Sequence, residues 1–251
     1  MKFLGQNLIE LFDSFTPTSS TTTANSYDKD LTTSAVSIGS DDATPEVFTI
    51  IWAAAQTFDR LCFRGINWKD YEVKYWDGAA YQSFVSDAVK ETANASTTKF
   101  YEFTSVSTLR IQITINKTIT ADAEKSVAEI LAYLETLDLS EDWLPKEKPS
   151  LPYKQHLHEL VGGGAYQVTE STIEKYRNKL TWNRSNPLLT TYVTTLKTIK
   201  DTLEPFWFIP FDDEPENQYN VIWANDYNFQ KIGAWSAGLR CYAGSLEMRE
   251  T

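Results

Sequence analysis

His156 and His158 are the only histidines in this chain of 251 residues. On a strand, residues i and i+2 share a face, so the pair offers two imidazoles to a metal or to a carboxylate-oriented acid–base step. Glu159 points the other way, and no third ligand stands at a usable spacing. The two histidines therefore read as solvent-facing strand residues. Neither lies in a nucleophile context such as G-x-S-x-G, which a Ser-His-Asp arrangement on a sharp strand-to-helix turn would show. Paired carboxylates for glycoside hydrolysis are defined by separation in space and leave no spacing to read. Gly162-Gly163-Gly164 lacks the Lys-Ser/Thr that follows a phosphate-cradling loop and reads as a hairpin tip. The acidic residues Asp212, Asp213, Glu214 and Glu216 are interrupted by Pro215 and lack the ligand ladder of a calcium loop, so they read as a solvated loop. The expectation is a non-enzymatic protein with no catalytic residue, no metal and no cofactor.

The residues with binding chemistry are aromatic. The chain holds 8 Trp, 13 Tyr and 13 Phe, and large rings serve cores, interfaces and sugar-stacking platforms alike. Trp68, Trp76 and Tyr81 lie near turns, where β-sandwiches carry binding, and are the candidate ligand-binding residues, facing either a glycan or a protein partner, with packing in the core as the alternative. A net charge of −11 with no Lys/Arg cluster argues against nucleic acid and anionic membrane as partners. MKFLGQNLIELFDSF is broken by polar residues and suits neither a signal peptide nor a transmembrane helix, so no membrane insertion is expected. Cys62 and Cys241 sit in apolar, strand-like surroundings and read as two buried thiols, with a disulfide as the alternative.

These residues must be positioned by strands. In Phe58–Phe84, Leu61, Phe63 and Ile66 belong to a strand that breaks at Gly65, and Tyr71, Val73 and Tyr75 alternate with Glu72, Lys74 and Trp76 before a turn at Asp77-Gly78. In 99–120, Leu109, Ile111, Ile113 and Ile115 alternate with Arg110, Gln112 and Thr114. Residues 14–45 are rich in Ser, Thr and Asp and read as loops, with a brief strand at Val36 and Ile38. Val127, Ile130, Leu131 and Leu134 have helical spacing, so 121–137 reads as a helix, with a closing strand of the sandwich as the alternative. The proline-rich segment 141–152 marks a linker. The expected fold is mainly β: an N-terminal antiparallel β-sandwich over 1–140, then a smaller α+β domain over 153–251. In the latter, Asn186-Pro187 starts a helix whose face is Leu188, Leu189, Tyr192, Leu196, Ile199 and Leu203. FWFIPF, QYNVIW and LRCYAGSLEMRE close it as strands, and STIEKYRNKL reads as strand or short helix.

The run DRLCFRGINWKDYEVKYWDGAAYQSF, followed by KFYEFTSVSTLRIQIT, resembles strands of discoidin-type, galactose-binding-like jelly rolls. The likeness spans residues 7–137 and implies a final strand over 121–137. NLIELFDSFTPTSS and the C-terminal SLEMRE resemble segments of tailed-bacteriophage virion proteins. Together the resemblances imply a structural component of a phage tail, baseplate or fibre attachment. Such a protein is made in the host cytoplasm, resides in the virion, and assembles as a homo-oligomer with other tail proteins. The alternative is a carbohydrate-binding module that recognises a host surface glycan. The calcium loop of some discoidin domains has no clear counterpart among Asp28, Asp30, Asp41 and Asp42.

Overall fold

The computed structural model describes residues 2–20, 22–38, 42–139, 155–159, 165–169, 177–182, 188–202, 204–210, 215, 218–234 and 240–250. The chain divides into two compact units, one of Leu4–Glu135 with Glu214–Glu216 and the other of Met1–Phe3, Thr136–Asp213 and Asn217–Thr251. Strand β1 (Lys2–Leu4) opens the chain. The first unit is then built from β2 (Ser14–Pro17), β3 (Ala35–Val36), β4 (Glu46–Arg64), β5 (Trp68–Trp76), β6 (Tyr81–Ser83), β7 (Lys90–Glu91), β8 (Thr98–Thr118), β9 (Ser126–Val127) and β10 (Glu129–Tyr133).

Seven of these form one antiparallel network in the order β10-β4-β8-β5-β6, with β2 added on β4 and β7 on β5. Two long strands make this a sandwich. Pairing of β4 with β8 slips between Ile51 and Gln56 and again between Phe58 and Arg60, so Trp52 to Ala55 lie opposite Leu109 alone. Bulges of this kind bend a strand and raise its twist. One half of each long strand then serves the layer with β2 and β5, and the other half pairs beside β10. Phe48, Ile50, Val73, Ile111, Ile113 and Ile115 from the first layer share one core with Phe58, Leu61, Phe63, Ile130 and Ala132 from the second. This is the alternation expected of 99–120, except that Leu109, at the bulge, is 42% exposed.

The helix expected over 121–137 is not formed. Glu129–Tyr133 is a strand paired with β4 from Arg64 to Arg60, and all five of its residues are buried. A strand covered on both faces is a continuous apolar run, and its residues match helical spacing by coincidence. Asn7 holds this strand, donating to the Ile130 carbonyl at 3.5 Å and accepting from the Ala132 N–H at 3.0 Å.

Gly65 turns the chain between β4 and β5 with φ +63, and a Cβ there would lie 2.6 Å from the Ala128 Cβ. Both the left-handed backbone and the close approach call for glycine.

The second unit comprises β11 (Glu135–Asp138), β12 (Gln155–Glu159), β13 (Ala165–Thr169), β14 (Arg177–Trp182), β15 (Leu188–Leu189), α1 (Thr190–Thr202), β16 (Phe206–Ile209), β17 (Tyr219–Trp223), β18 (Gln230–Ala234) and β19 (Arg240–Glu250). Its sheet runs β11-β1-β16-β17-β19-β14, with β15 and β18 also on β19. The helix expected after Asn186-Pro187 starts later, at Thr190, because Leu188 and Leu189 pair with Tyr242 and Cys241. Val193, Leu196 and Ile199 form its buried face. Arg177–Trp182 takes the strand form of the two readings open for STIEKYRNKL. Phe3 packs against Phe206 and Phe208 at ring distances of 5.8 and 5.2 Å.

Candidate functional site

The three aromatic candidates part company in the structure. Trp68 has no exposed surface. Its ring packs against Phe63 at 5.2 Å and Tyr71 at 5.3 Å, inside the core of the first unit. A buried ring presents no face to a ligand or a partner, so Trp68 leaves the candidate set as a core residue. Trp76 and Tyr81 are both half-buried and come together, with ring centroids 5.3 Å apart and planes at 71°.

Register explains the meeting. Trp76 pairs with Tyr81 across β5 and β6, and Ile51 pairs with Arg110 across β4 and β8. The last pair of β5 with β8 is Tyr75 with Ile111, which puts Trp76 one step further, beside Arg110. Cross-strand neighbours on one face of a sheet touch. Tyr81, Trp76, Arg110 and Ile51 therefore form a row across the outer face, opposite the core residues Val73, Ile111 and Ile113. The next row is Ser83, Lys74, Gln112 and Thr49.

The buried Thr108 hydroxyl pins the end of β5. It accepts from the backbone N–H groups of Trp76 and Arg110, each at 3.2 Å, and donates to the Trp76 carbonyl at 2.8 Å. The turn expected at Asp77-Gly78 is present, with Gly78 at φ +107. The Asp77 carboxylate accepts from the Ala79 and Ala80 N–H groups and from the Gln82 amide, each at 2.8 Å. The backbone N–H groups of Ala80 and then Ala79, with the Gln82 amide, hold its pKa below the usual carboxylate range. The carboxylate thus fastens the loop that delivers Tyr81.

Arg110 was read in the sequence only as a polar residue in an alternating strand. Its guanidinium carbon lies 4.3 Å from the Trp76 ring centre, a cation–π contact. Its Nε is buried and has no acceptor among the described residues. Alternation predicts that Arg110 points outward, but only the pairing register brings it to Trp76.

The remaining candidates form no comparable site. His156 and His158 lie on β12, paired through the backbone with Val168 and Tyr166 of β13. Among the described residues no group of three His, Cys, Asp or Glu side chains is arranged to hold a metal. The glycine run 162–164, the acidic residues 212–214 and 216, and the linker 141–152 lie outside the described residues. Asp28 and Asp30 accept from neighbouring Thr33 and Thr32 in local turns, and Asp42 accepts from the Thr118 N–H. Asp41 lies outside the described residues. Cys62 is a buried thiol of the first unit. No described helix is long and apolar enough to cross a membrane.

No protein-family model matches the chain, and no curated protein does. Solved structures do resemble it over about half its length. The family 32 carbohydrate-binding module of C. perfringens NanJ, solved with galactose, is 16% identical, with a TM-score of 0.43 over 53% of this chain and 99% of that one. Chitosan-binding module 1 of a chitosanase/glucanase from Paenibacillus sp. IK-5 is 15% identical, with a TM-score of 0.42 over 51% and 98%. A putative alpha-L-fucosidase from Bacteroides thetaiotaomicron is 13% identical, with a TM-score of 0.45, and the matched part is 52% of this chain and 29% of that enzyme. The chain is similar, over about half its length, to carbohydrate-binding modules and to part of a putative alpha-L-fucosidase.

Proposed function

We propose that the N-terminal unit is a glycan-binding module that works through the Trp76–Tyr81–Arg110 row, without catalysis. One observation carries this reading: an aromatic pair, with a cation stacked over the ring of one member, stands on the outer side of a sheet, with the supporting loop fastened by Asp77. Aromatic carbons accept the apolar C–H face of a sugar ring, and a guanidinium beside them donates to sugar oxygens. Mechanism here means positioning. Thr108 and Asp77 set the geometry before the ligand arrives, so little ordering cost falls on binding.

The competing reading, assembly within a phage tail or baseplate as a homo-oligomer, has its support in the sequence resemblance. A glycan array followed by calorimetric titration of the best ligand separates the two. Under the glycan reading, Trp76→Ala and Tyr81→Ala each weaken binding by about tenfold, the equivalent of roughly 1.4 kcal/mol. Binding that ignores both substitutions, or no binding by a protein that self-associates at working concentration, overturns it.

A further inference from the structure

Arg110 differs from the other arginines whose side chains the structure places. Arg60 meets Glu102 and Glu135, each at 2.6 Å, Arg64 meets Glu129 at 3.0 Å, and Arg249 meets Glu247 at 3.4 Å. Arg110 faces no carboxylate among the described residues, although the chain carries a net charge of −11. Its guanidinium carbon lies 4.3 Å from the Trp76 ring centre, and its Nε is shut off from water and so from a ligand, which leaves the Nη end to meet an acceptor. A buried donor without an acceptor is costly, and a charged one more so. A guanidinium anchored over an aromatic ring can present the two nitrogens of its Nη end to a bidentate carboxylate.

We infer that Arg110 is the specificity residue of the glycan site and that the ligand is an acidic saccharide, whose sugar carboxylate pairs with the Nη end of the guanidinium that Trp76 supports while the same sugar ring lies against Tyr81. This inference rests on the glycan-binding reading and narrows it. Gln112 and Lys74 stand in the adjoining row, and Lys74 is itself paired with Glu72 at 3.3 Å. Of the two cations in these two rows, the one without a carboxylate partner among the described residues is Arg110, and the carboxylated unit belongs beside it.

Oligosaccharides of glucuronic and galacturonic acid, the same oligosaccharides as methyl esters, and neutral galacto- and gluco-oligosaccharides are titrated against the full chain and against Arg110→Met and Arg110→Lys. Methionine keeps an apolar stem over the indole without the charge or the donors. The acid forms are expected to bind roughly tenfold to a hundredfold more tightly than their esters, and Arg110→Met is expected to abolish that preference. Arg110→Lys retains only part of it, because a point charge does not reproduce the fork. Equal binding of acids and esters, or an equal loss on both in Arg110→Met, overturns the acidic-sugar inference and leaves the glycan reading standing. A protein that binds none of these saccharides overturns both.

Discussion

Trp68 and Trp76 open and close the same strand, an even number of residues apart, and on a regular strand they would share a face. Trp68 is instead sealed in the core, while Trp76 stands on the outer face beneath Arg110. The pairing of β5 with β8 explains the reversal. It is irregular between Trp68 and Asp70 and again between Asp70 and Tyr71, so Trp68 and Tyr71, three positions apart, both point inward. Past that irregularity the alternation is regular, and Trp76 falls on the side opposite Val73. A local departure from a period of two therefore decides which tryptophan is structure and which is surface.

The largest expected effect breaks this comparison if it is wrong. Trp68→Ala removes a fully buried ring from between Phe63, Tyr71 and Phe48 and should cost about 3–5 kcal/mol of stability. Trp76→Ala should cost under about 1 kcal/mol, since the ring is half-buried on a solvated face. Denaturant unfolding of both variants measures the difference, and equal losses would mean that the two ends of β5 are not distinct. Trp68→Phe is the milder probe. The Trp68 Nε1 is buried without an acceptor among the described residues, so removing the N–H relieves part of what the smaller ring loses.

A second, smaller effect tests the corner that feeds Trp68 into the core. Gly65→Ala places a methyl group 2.6 Å from the Ala128 Cβ at φ +63, and about 1–3 kcal/mol should be lost. Ala128→Gly in the same chain should recover the steric part and leave the backbone part. A double-mutant cycle by unfolding reads the coupling. Additive losses would show that the chain turns here without the close contact to β9–β10.

Much of the fold was legible because alternation was clean where one face of a strand is solvated. Tyr71, Val73, Ile111, Ile113 and Ile115 all point inward as read. Legibility failed where that condition failed. Ile130 to Tyr133 are buried on both faces, which erases the period of two and leaves an apolar run with helical spacing. The side on which Trp68 falls was not legible, because an irregular pairing has no signature in a single strand's sequence. Arg110 escaped notice for a related reason. An arginine opposite Ile111 is visibly outward, but its neighbours across the sheet depend on a register set jointly by the bulge at Trp52–Ala55 and by the Asp77 loop. The helix boundary shifted from Asn186-Pro187 to Thr190 because β19 captured Leu188 and Leu189, a tertiary choice that capping residues do not encode.

The smallest expected effect is confined to the Trp76 end of the strand and depends on pH. Hydrogen bonds from Ala80, Ala79 and Gln82 depress the folded-state pKa of Asp77. A carboxylate with a lowered folded pKa supports its loop fully above its unfolded value and loses that support as pH falls through the folded value. Acidification to below the ordinary aspartate range should therefore release the Ala79 and Ala80 amides and loosen Tyr81 against Trp76. Amide exchange and chemical shifts of Ala79, Ala80 and the Trp76 indole follow this step without a ligand whose own carboxylate titrates. Asp77→Asn keeps one acceptor oxygen and loses the titration, so its loop signals should stay flat over the same range. Trp68 supplies the internal reference, because a core ring reports only global unfolding. A transition shared by the Trp68 and Trp76 signals, at the same pH, would show that acid acts on the whole unit and that Asp77 does not govern the Trp76 end separately.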